Sequence, residues 1–456
     1  MKQTIHAKQV LTSDGWVENL SVSIDPDGTI SALRHGSPEA SDEIVDVLLP
    51  GMANVHSHSF QRAMAGLTEH RSARNKDDFW SWRELMYRFL AHLSPDDIQS
   101  IAAQVQLESL EAGFTSIGEF HYLHHQIDGK PYADISEISA RLFDAANQTG
   151  IGFTHLPVLY MRGGFDDRPL TEEQGRFRCS IDQFSSLFEK SKSALTDLPQ
   201  DFTLGVAPHS LRAVNKEALS SAIALCTDGP VHIHIAEQTA EVEDAKEALG
   251  ARPVEWLANN VVLDDKWCLV HATHMNADEI KSITTSNASV GLCPITEANL
   301  GDGIFSAPEF IRAGGNFCVG SDSNIRISLT EELRLLEYSQ RLHNRRRNVL
   351  AGVNGSCGRF LYQHAAQTGA RAIGRNAGEI ATGFFADLIS LKTGGTELEG
   401  LVGNQILDSW IFAHDDRFVD NVWSAGRHVV RNGRHKDRDT IRNNFLSVIQ
   451  NLRKSL

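Results

Sequence analysis

The sequence predicts an α/β chain whose middle is a (β/α)8 barrel. Two observations carry this. Eight apolar runs, each closing in polar residues, succeed one another from about residue 47 to 323, and helical patterns separate them. A third observation sets the ends apart, because both read as short strands joined by tight turns.

Residues 1 to about 49 read as short strands with turns, and "SVSIDPDGTISAL" alternates around the turn Asp25-Pro26-Asp27-Gly28, which predicts a hairpin. The far end matches in style, with "GFFADLISL" and "NVWSAGRHVVRNGRH", the latter turning at Asn432-Gly433. Between them lie "VLLPGMANVHSH", "TSIGEFHY", "GFTHLPVLYM", "FTLGVAPHS", "PVHIHIAE", "WCLVHATH", "SVGLCPITE" and "NFCVGSDS". Several are almost continuously apolar, as strands covered on both faces are. The clearest helix is "SPDDIQSIAAQVQLESLEAG": Ser94 caps it, Pro95 starts it, Asp96 and Asp97 complement its dipole and Gly113 stops it. A doubly wound open sheet is the alternative, but no GxGxxG follows the first strand.

Composition narrows the function. With 456 residues, 41% hydrophobic and 22% charged, the chain can bury a large core. A formal net charge of -15 argues against nucleic acid as a partner. A local arginine cluster can still reverse the field inside one pocket, so an anionic substrate remains open. The 6 cysteines include no CxxC pair and are expected as reduced thiols in a core. No run approaches the ~18 apolar residues of a membrane span, and the start has no apolar signal core, so no membrane partner and a cytoplasmic location are expected.

In such a barrel, functional side chains collect where strands end. The polar finishes supply His56, His58, His121, Tyr122, His209, His234, Glu237, His271, Glu297 and Asp322. Residues two apart on a strand share a face, so His56 and His58 can both aim into the mouth. With 20 histidines, about one HxH pair is expected by composition alone, and two occur. His232 is read as a packed strand residue; His6, His35, His70, His92 and His435 as solvated; and "HNRRRN" as an exposed basic helix end. The conjunction of HxH after the first strand, HxxE after the fifth, His after the sixth and Asp after the eighth is less easily incidental. Imidazoles and a carboxylate suit a borderline cation such as zinc. An open coordination position then leaves room for a water whose pKa the metal lowers to about 7, which is the chemistry of hydrolysis or deamination.

The stretches "PGMANVHSH", "AGEIATGFFADLISL" and "VWSAGRHVVRNGR" resemble the amidohydrolase superfamily over essentially the whole chain. That resemblance implies a barrel over 50–375 and a small β-sandwich from residues 1–49 plus 376–456, built from both termini. It implies His56, His58, His234 and Asp322 as ligands of one divalent ion, zinc being the expectation. It gives His271 the task of positioning the metal-bound water, Glu237 that of binding and protonating the leaving nitrogen, and Asp322 that of accepting the water proton. It also suggests a homodimer. Members with two metals carry a bridging lysine after the fourth strand. Here that run ends "VAPHSLR", which favours the mononuclear deaminase branch.

The pocket candidates are Gln61, Arg83, Tyr122, His209 and Arg212, with Trp80 and Trp82 near Arg83. An arginine holds a carboxylate through two parallel hydrogen bonds, so two arginines at one mouth suit a dicarboxylate. The alternative for Arg83 is a residue that merely covers a helix. At finer resolution "NVHSHSFQRAMAGL", "FWSWRELMYR", "EFHYLHH", "APHSLRAV", "HIHIAEQ", "TEANLGDGIF" and "GSDSNIRISLTEELRLLEY" resemble the formimidoylglutamate deiminase family. The resemblance implies that Gln61, Arg83, Tyr122, His209 and Arg212 bind N-formimino-L-glutamate, which is hydrolysed to N-formyl-L-glutamate and ammonia in histidine degradation. Arg326 could touch substrate or point to solvent. The rival is a deaminase of a heterocyclic amine such as guanine or a modified adenosine, which would need fewer cations and more flat apolar surface.

Overall fold

The computed structural model describes residues 3–69, 79–353 and 355–455, with residues 79–84 and 455 described for the backbone alone. Four strands come first: β1 (Gln3–Thr12), β2 (Gly15–Ile24), β3 (Ile30–His35) and β4 (Glu43–Pro50). The β2–β3 hairpin turns where expected, with Gly28 N–H donating to Asp25 O at 2.9 Å and Gly28 at φ +86°.

The barrel follows as β5 (Met52–Ser57), β6 (Phe114–His121), β7 (Gly152–Leu159), β8 (Thr203–Leu204) and β9 (Ala207–Pro208), β10 (Val231–Ile235), β11 (Trp267–His271), β12 (Ser289–Leu292) and β13 (Asn316–Val319). β8 and β9 are two halves of one broken fourth strand, both lying against β7. All strand pairings here are parallel. Parallel bridges Val206–Val231 and Ser210–His234 join the fourth strand to the fifth, and Ser57–Asp322 joins the first to the eighth, so the barrel closes. Every residue of β5, β6, β7, β10 and β11 is buried, which is why these runs read as unbroken apolar stretches with histidines inserted.

Helix Pro95–Ala112 has the ends its sequence called for. Ser94 and Asp97 form a reciprocal capping box, and Gly113 at φ +100° closes it. A further helix, Phe79–Leu90, lies between the first strand and this one.

The last strands are β14 (Leu388–Leu391), β15 (Val419–Ser424), β16 (Arg427–Arg431) and β17 (Arg434–His435). They combine with the first four in one sheet, ordered β17-β16-β15-β14-β4-β1-β2-β3. The sheet rolls back on itself: Ile30 N–H donates to Phe384 O and Gly383 N–H to Ile30 O, both at 2.8 Å. Its inner side holds a separate apolar cluster including Ile5, Val22, Ile30, Leu388 and Trp423. The C-terminal segment also contributes helices to the barrel surface. Helix Asn404–Ala413 sets Trp410 against Tyr362, ring centres 5.8 Å apart, and helix Arg438–Ser455 ties Arg438 to Glu111 at 2.6 Å.

Barrel and sheet are locked by a buried ion cluster. Arg375 donates to both Asp387 oxygens (2.6 and 2.8 Å) and to Asp201 Oδ2 (3.0 Å), and Arg427 of β16 reaches Asp201 at 2.6 and 2.7 Å. The six cysteines are all free and buried. Among the described residues no helix is long and apolar enough to cross a membrane.

Candidate active site

The first and eighth strands meet unusually closely. Gly320 sits so near β5 that a Cβ there would fall 2.7 Å from His56 N and 2.8 Å from His56 O. Two backbone bonds follow, Asp322 N–H to His56 O and His58 N–H to Asp322 O, both 2.9 Å. Side chains reinforce the seam: Asn54 Nδ2 donates to Ser321 Oγ, Ser321 Oγ to Asn324 Oδ1, and Asn324 Nδ2 to Ser57 Oγ. The result places Asp322 Oδ1 3.3 Å from His58 Nε2 and 3.6 Å from His56 Nε2.

His234, at the end of β10, completes a trio. Its Nε2 is 3.0 Å from His56 Nε2, which is 3.2 Å from His58 Nε2. His58 spends its Nδ1 hydrogen on Phe120 O (2.8 Å) and His234 spends its own on His209 O (3.1 Å). Both therefore turn Nε2 lone pairs to one point. A proton on His56 could serve one of them and not both; a cation serves all three. Ligands at 2.0–2.1 Å around a tetrahedral zinc stand about 3.3 Å apart, which is the spacing found here. Burial keeps these rings neutral: it pushes His58 down to about 3, and it drives His56 and His234 well below the usual range, helped by the neighbouring imidazoles. The donor set thus fits a single divalent ion.

His271 leaves β11 with φ +67°, followed by Ala272 at +47°; Ala236 (+50°) precedes Glu237, and Asp322 itself is at +46°. Left-handed non-glycine residues are strained and gather at functional sites. Here they turn three strand ends inward. His271 Nε2 stands 3.9 Å from Glu237 Oε1 and 3.7 Å from Asp322 Oδ2. Burial would depress the His271 ring, but the Glu237 charge, the hydrogen bond that the ring donates to Glu297 and the Asp322 charge raise it well above its ordinary value. Burial pushes the Asp322 carboxyl up to about 7, with Glu237 and Glu297 adding to the effect against His271.

One pocket joins these groups to the expected substrate contacts. His58, His234, Glu237, His271 and Asp322 share it with Gln61, Tyr122, His209 and Arg212. Gln61 Nε2 donates to Tyr122 OH at 2.8 Å, while Gln61 Oε1 is buried and has no hydrogen-bond partner among the described residues. The loop carrying Arg212 is pinned by Arg162, whose Nη2 donates to Leu211 O and Val214 O at 2.9 Å. The side chains of Arg83, Trp80 and Trp82 lie outside the described residues, as does His70. Arg326 does not line the pocket; it is 61% exposed and 3.9 Å from Glu331.

The single-histidine readings divide. His232 is packed, its Nε2 2.7 Å from Ala372 O, and His35 and His92 are exposed. His6 and His435 are corrections: both are buried, His6 bonded to Ser21 Oγ and His435 to Thr149 O, because the rolled sheet and the last helices cover them. Sequence reasoning missed three groups in or beside the site. Glu241 accepts the backbone N–H of Ala236 (3.2 Å) and Glu237 (3.0 Å) and has Arg212 as its countercharge. Asp302 accepts from Gln238, and burial beside Glu237 pushes it up to about 8. Met86, Tyr160, Phe177 and Leu300 supply apolar wall. Only Glu241 had a local signal, a second acid one helical turn beyond Glu237.

The fold and site define an amidohydrolase: residues 47–429 match the amidohydrolase family, and the chain belongs to that family. Residues 2–45 match a narrower description, the formimidoylglutamate deiminase HutF N-terminal domain. The chain is 44% identical over 451 residues to a formimidoylglutamate deiminase of Pseudomonas aeruginosa, covering 98% of this chain and 99% of that one. A crystal structure of an amidohydrolase from Brucella melitensis superposes with a TM-score of 0.94 at 45% identity, covering 99% of both chains. An adenosine deaminase from Xanthomonas campestris with bound zinc shares the fold, with a TM-score of 0.81 at 21% identity over 99% of this chain and 98% of that one.

Proposed function

We propose that the protein hydrolyses the formimino C–N bond of N-formimino-L-glutamate, giving N-formyl-L-glutamate and ammonia, as a step of histidine degradation. The carrying observation is the 44% identity, over nearly the full length of both chains, to a formimidoylglutamate deiminase. The pocket supports it, because the Arg212 guanidinium and the hydrolytic end share one cavity.

His56, His58, His234 and Asp322 would hold one zinc ion. When bound, it supplies a water acidic enough to attack at neutral pH. The remaining work falls to side chains. Asp322 Oδ2 takes the second proton of the water and faces His271 Nε2 at 3.7 Å. The His271 ring, held cationic by its carboxylate neighbours, donates from Nε2 toward charge developing on oxygen. Glu237 Oε1 binds the amidinium nitrogen and hands on to it the proton first taken from the water, so the nitrogen leaves as ammonia when the C–N bond breaks, and the proton left on the attacking oxygen passes to Asp322 as the carbonyl forms. Arg212, with His209 and Tyr122, holds a substrate carboxylate; Gln61 Oε1, which has no donor among the described residues, accepts a substrate N–H. Arg83 takes the second carboxylate. Met86 and Phe177 cover the methylenes.

The test is ammonia release from N-formimino-L-glutamate by zinc-loaded protein, with the product identified by mass. Stoichiometric formylglutamate and ammonia are expected. No ammonia from protein holding one metal per chain would overturn the substrate assignment.

A further inference from the structure

Glu297 ends the seventh run and has no part in the chemistry above. It sits in the first turn of the short helix Pro294–Leu300 and is 6% exposed. Its Oε1 lies 3.2 Å from His271 Nδ1 and accepts the Cys293 backbone N–H at 2.8 Å. Its own backbone is fixed from both sides, by the bond to Cys293 O and by Asp302 N–H, which donates to Glu297 O at 3.0 Å.

We propose that Glu297 is the positioning residue for His271: by accepting the Nδ1 proton it fixes the ring orientation and aims Nε2 at Glu237 and Asp322. A capping role alone would need only the Cys293 contact. The same oxygen also meets the one His271 nitrogen that faces away from the pocket. An imidazole has two nitrogens of different character, and the partner of one decides the state of the other. Without the acceptor, the ring is free to turn, and its N–H is no longer held in line with Glu237 and Asp322. The carboxylate also offsets the positive charge of the ring, as the buried acid of a hydrolytic triad does. His271, Cys293 and Glu297 bring potential metal-binding atoms within 4.8 Å of one another. A second cation there would need the Nδ1 lone pair, so it and this hydrogen bond exclude each other.

The kinetic part of this inference rests on the deiminase reading; the structural part does not. The experiment compares zinc-loaded wild type, Glu297→Gln and Glu297→Leu by nitrogen–proton correlation spectra of histidine-labelled protein, with His271→Asn identifying the ring. The expected result is a far-downfield Nδ1 proton for His271 in the wild type, a weaker shift in Glu297→Gln, which keeps an acceptor, and its loss in Glu297→Leu. With N-formimino-L-glutamate, kcat should fall about 100-fold in Glu297→Leu with KM within about twofold, and by less than about tenfold in Glu297→Gln. An unchanged ring signal and kcat in Glu297→Leu would reduce Glu297 to a helix cap and overturn the proposal. So would two metal ions per wild-type chain. If the wild type releases no ammonia, the substrate assignment falls, and the ring spectrum alone decides the role of Glu297.

Discussion

The Nε2 atoms of His56 and His234 face each other at 3.0 Å, with His234 already committed through Nδ1 to a backbone carbonyl. A proton on His56 Nε2 can satisfy His234 or His58 at 3.2 Å but not both, so one lone pair stays unmatched until a cation binds. Metal removal should therefore cost stability as well as activity. A ligand that binds only the native state at 1,000 times its Kd adds about 4 kcal/mol. Calorimetry after chelation should show a fall in Tm of several degrees, reversed by one equivalent of zinc. His56→Ala should abolish the zinc response, as read by elemental analysis and the same scan.

Glu237 and Arg212 line one pocket and should separate kinetically. Glu237→Gln removes a proton donor that acts as the bond breaks. It should lower kcat by about 10²–10⁴-fold and leave KM nearly unchanged. On the proposed reading, Arg212→Met removes a charged hydrogen bond made to bound substrate and product alike, worth about 1.5–3 kcal/mol. KM should rise about 10–150-fold, with kcat far less affected. Steady-state kinetics would show the split; equal losses in kcat for both variants would contradict it.

Gly320→Ala places a methyl group against the His56 backbone, where no side-chain rotation relieves it. Overpacking of this kind costs about 1–3 kcal/mol. It also pushes Asp322 away from His56 and His58. Zinc affinity, measured by competition with a chromogenic chelator, should fall more than urea stability does.

The Asp201 cluster sets an acid limit. Burial alone would raise Asp201, but Arg427 and Arg375 hold it below its ordinary value. A depressed carboxylate stabilises the fold above its unfolded pKa of about 3.9, and that contribution disappears as pH falls through the lower folded value. Urea titrations should show stability dropping below about pH 4. Asp201→Asn should be less stable at pH 7, by about 3–5 kcal/mol for a broken buried pair, with a flatter acid limb.

The barrel was legible because its buried strands are continuous apolar runs that end in histidines and acids. The histidine trio, Glu237, His271 and Asp322 were legible for the same reason: each stands at a strand end, where side chains have one direction to go. Asp302 lies on a loop beyond a strand end, where spacing does not reveal which way a side chain turns, and Glu241 shows only as an acid one helical turn beyond Glu237. His6 and His435 look like surface residues by neighbourhood. Their burial depends on pairings between distant parts of the chain, and no local pattern carries those. The closeness of Gly320 to His56 is also nonlocal, since a glycine in an apolar run fits many causes.

The strand order of the terminal sheet also bears on biogenesis. β4 lies between β1 and β14, so one of its edges has no partner until Leu388 has left the ribosome. The N-terminal strands emerge first but can complete their sheet only after the barrel between them has been made. Pairing across so long a loop is slow, and an unpaired edge invites association with other nascent chains. That edge of β4 therefore stays open to such association for most of the chain's synthesis, and it is a place where a ribosome-bound chaperone would have something to protect.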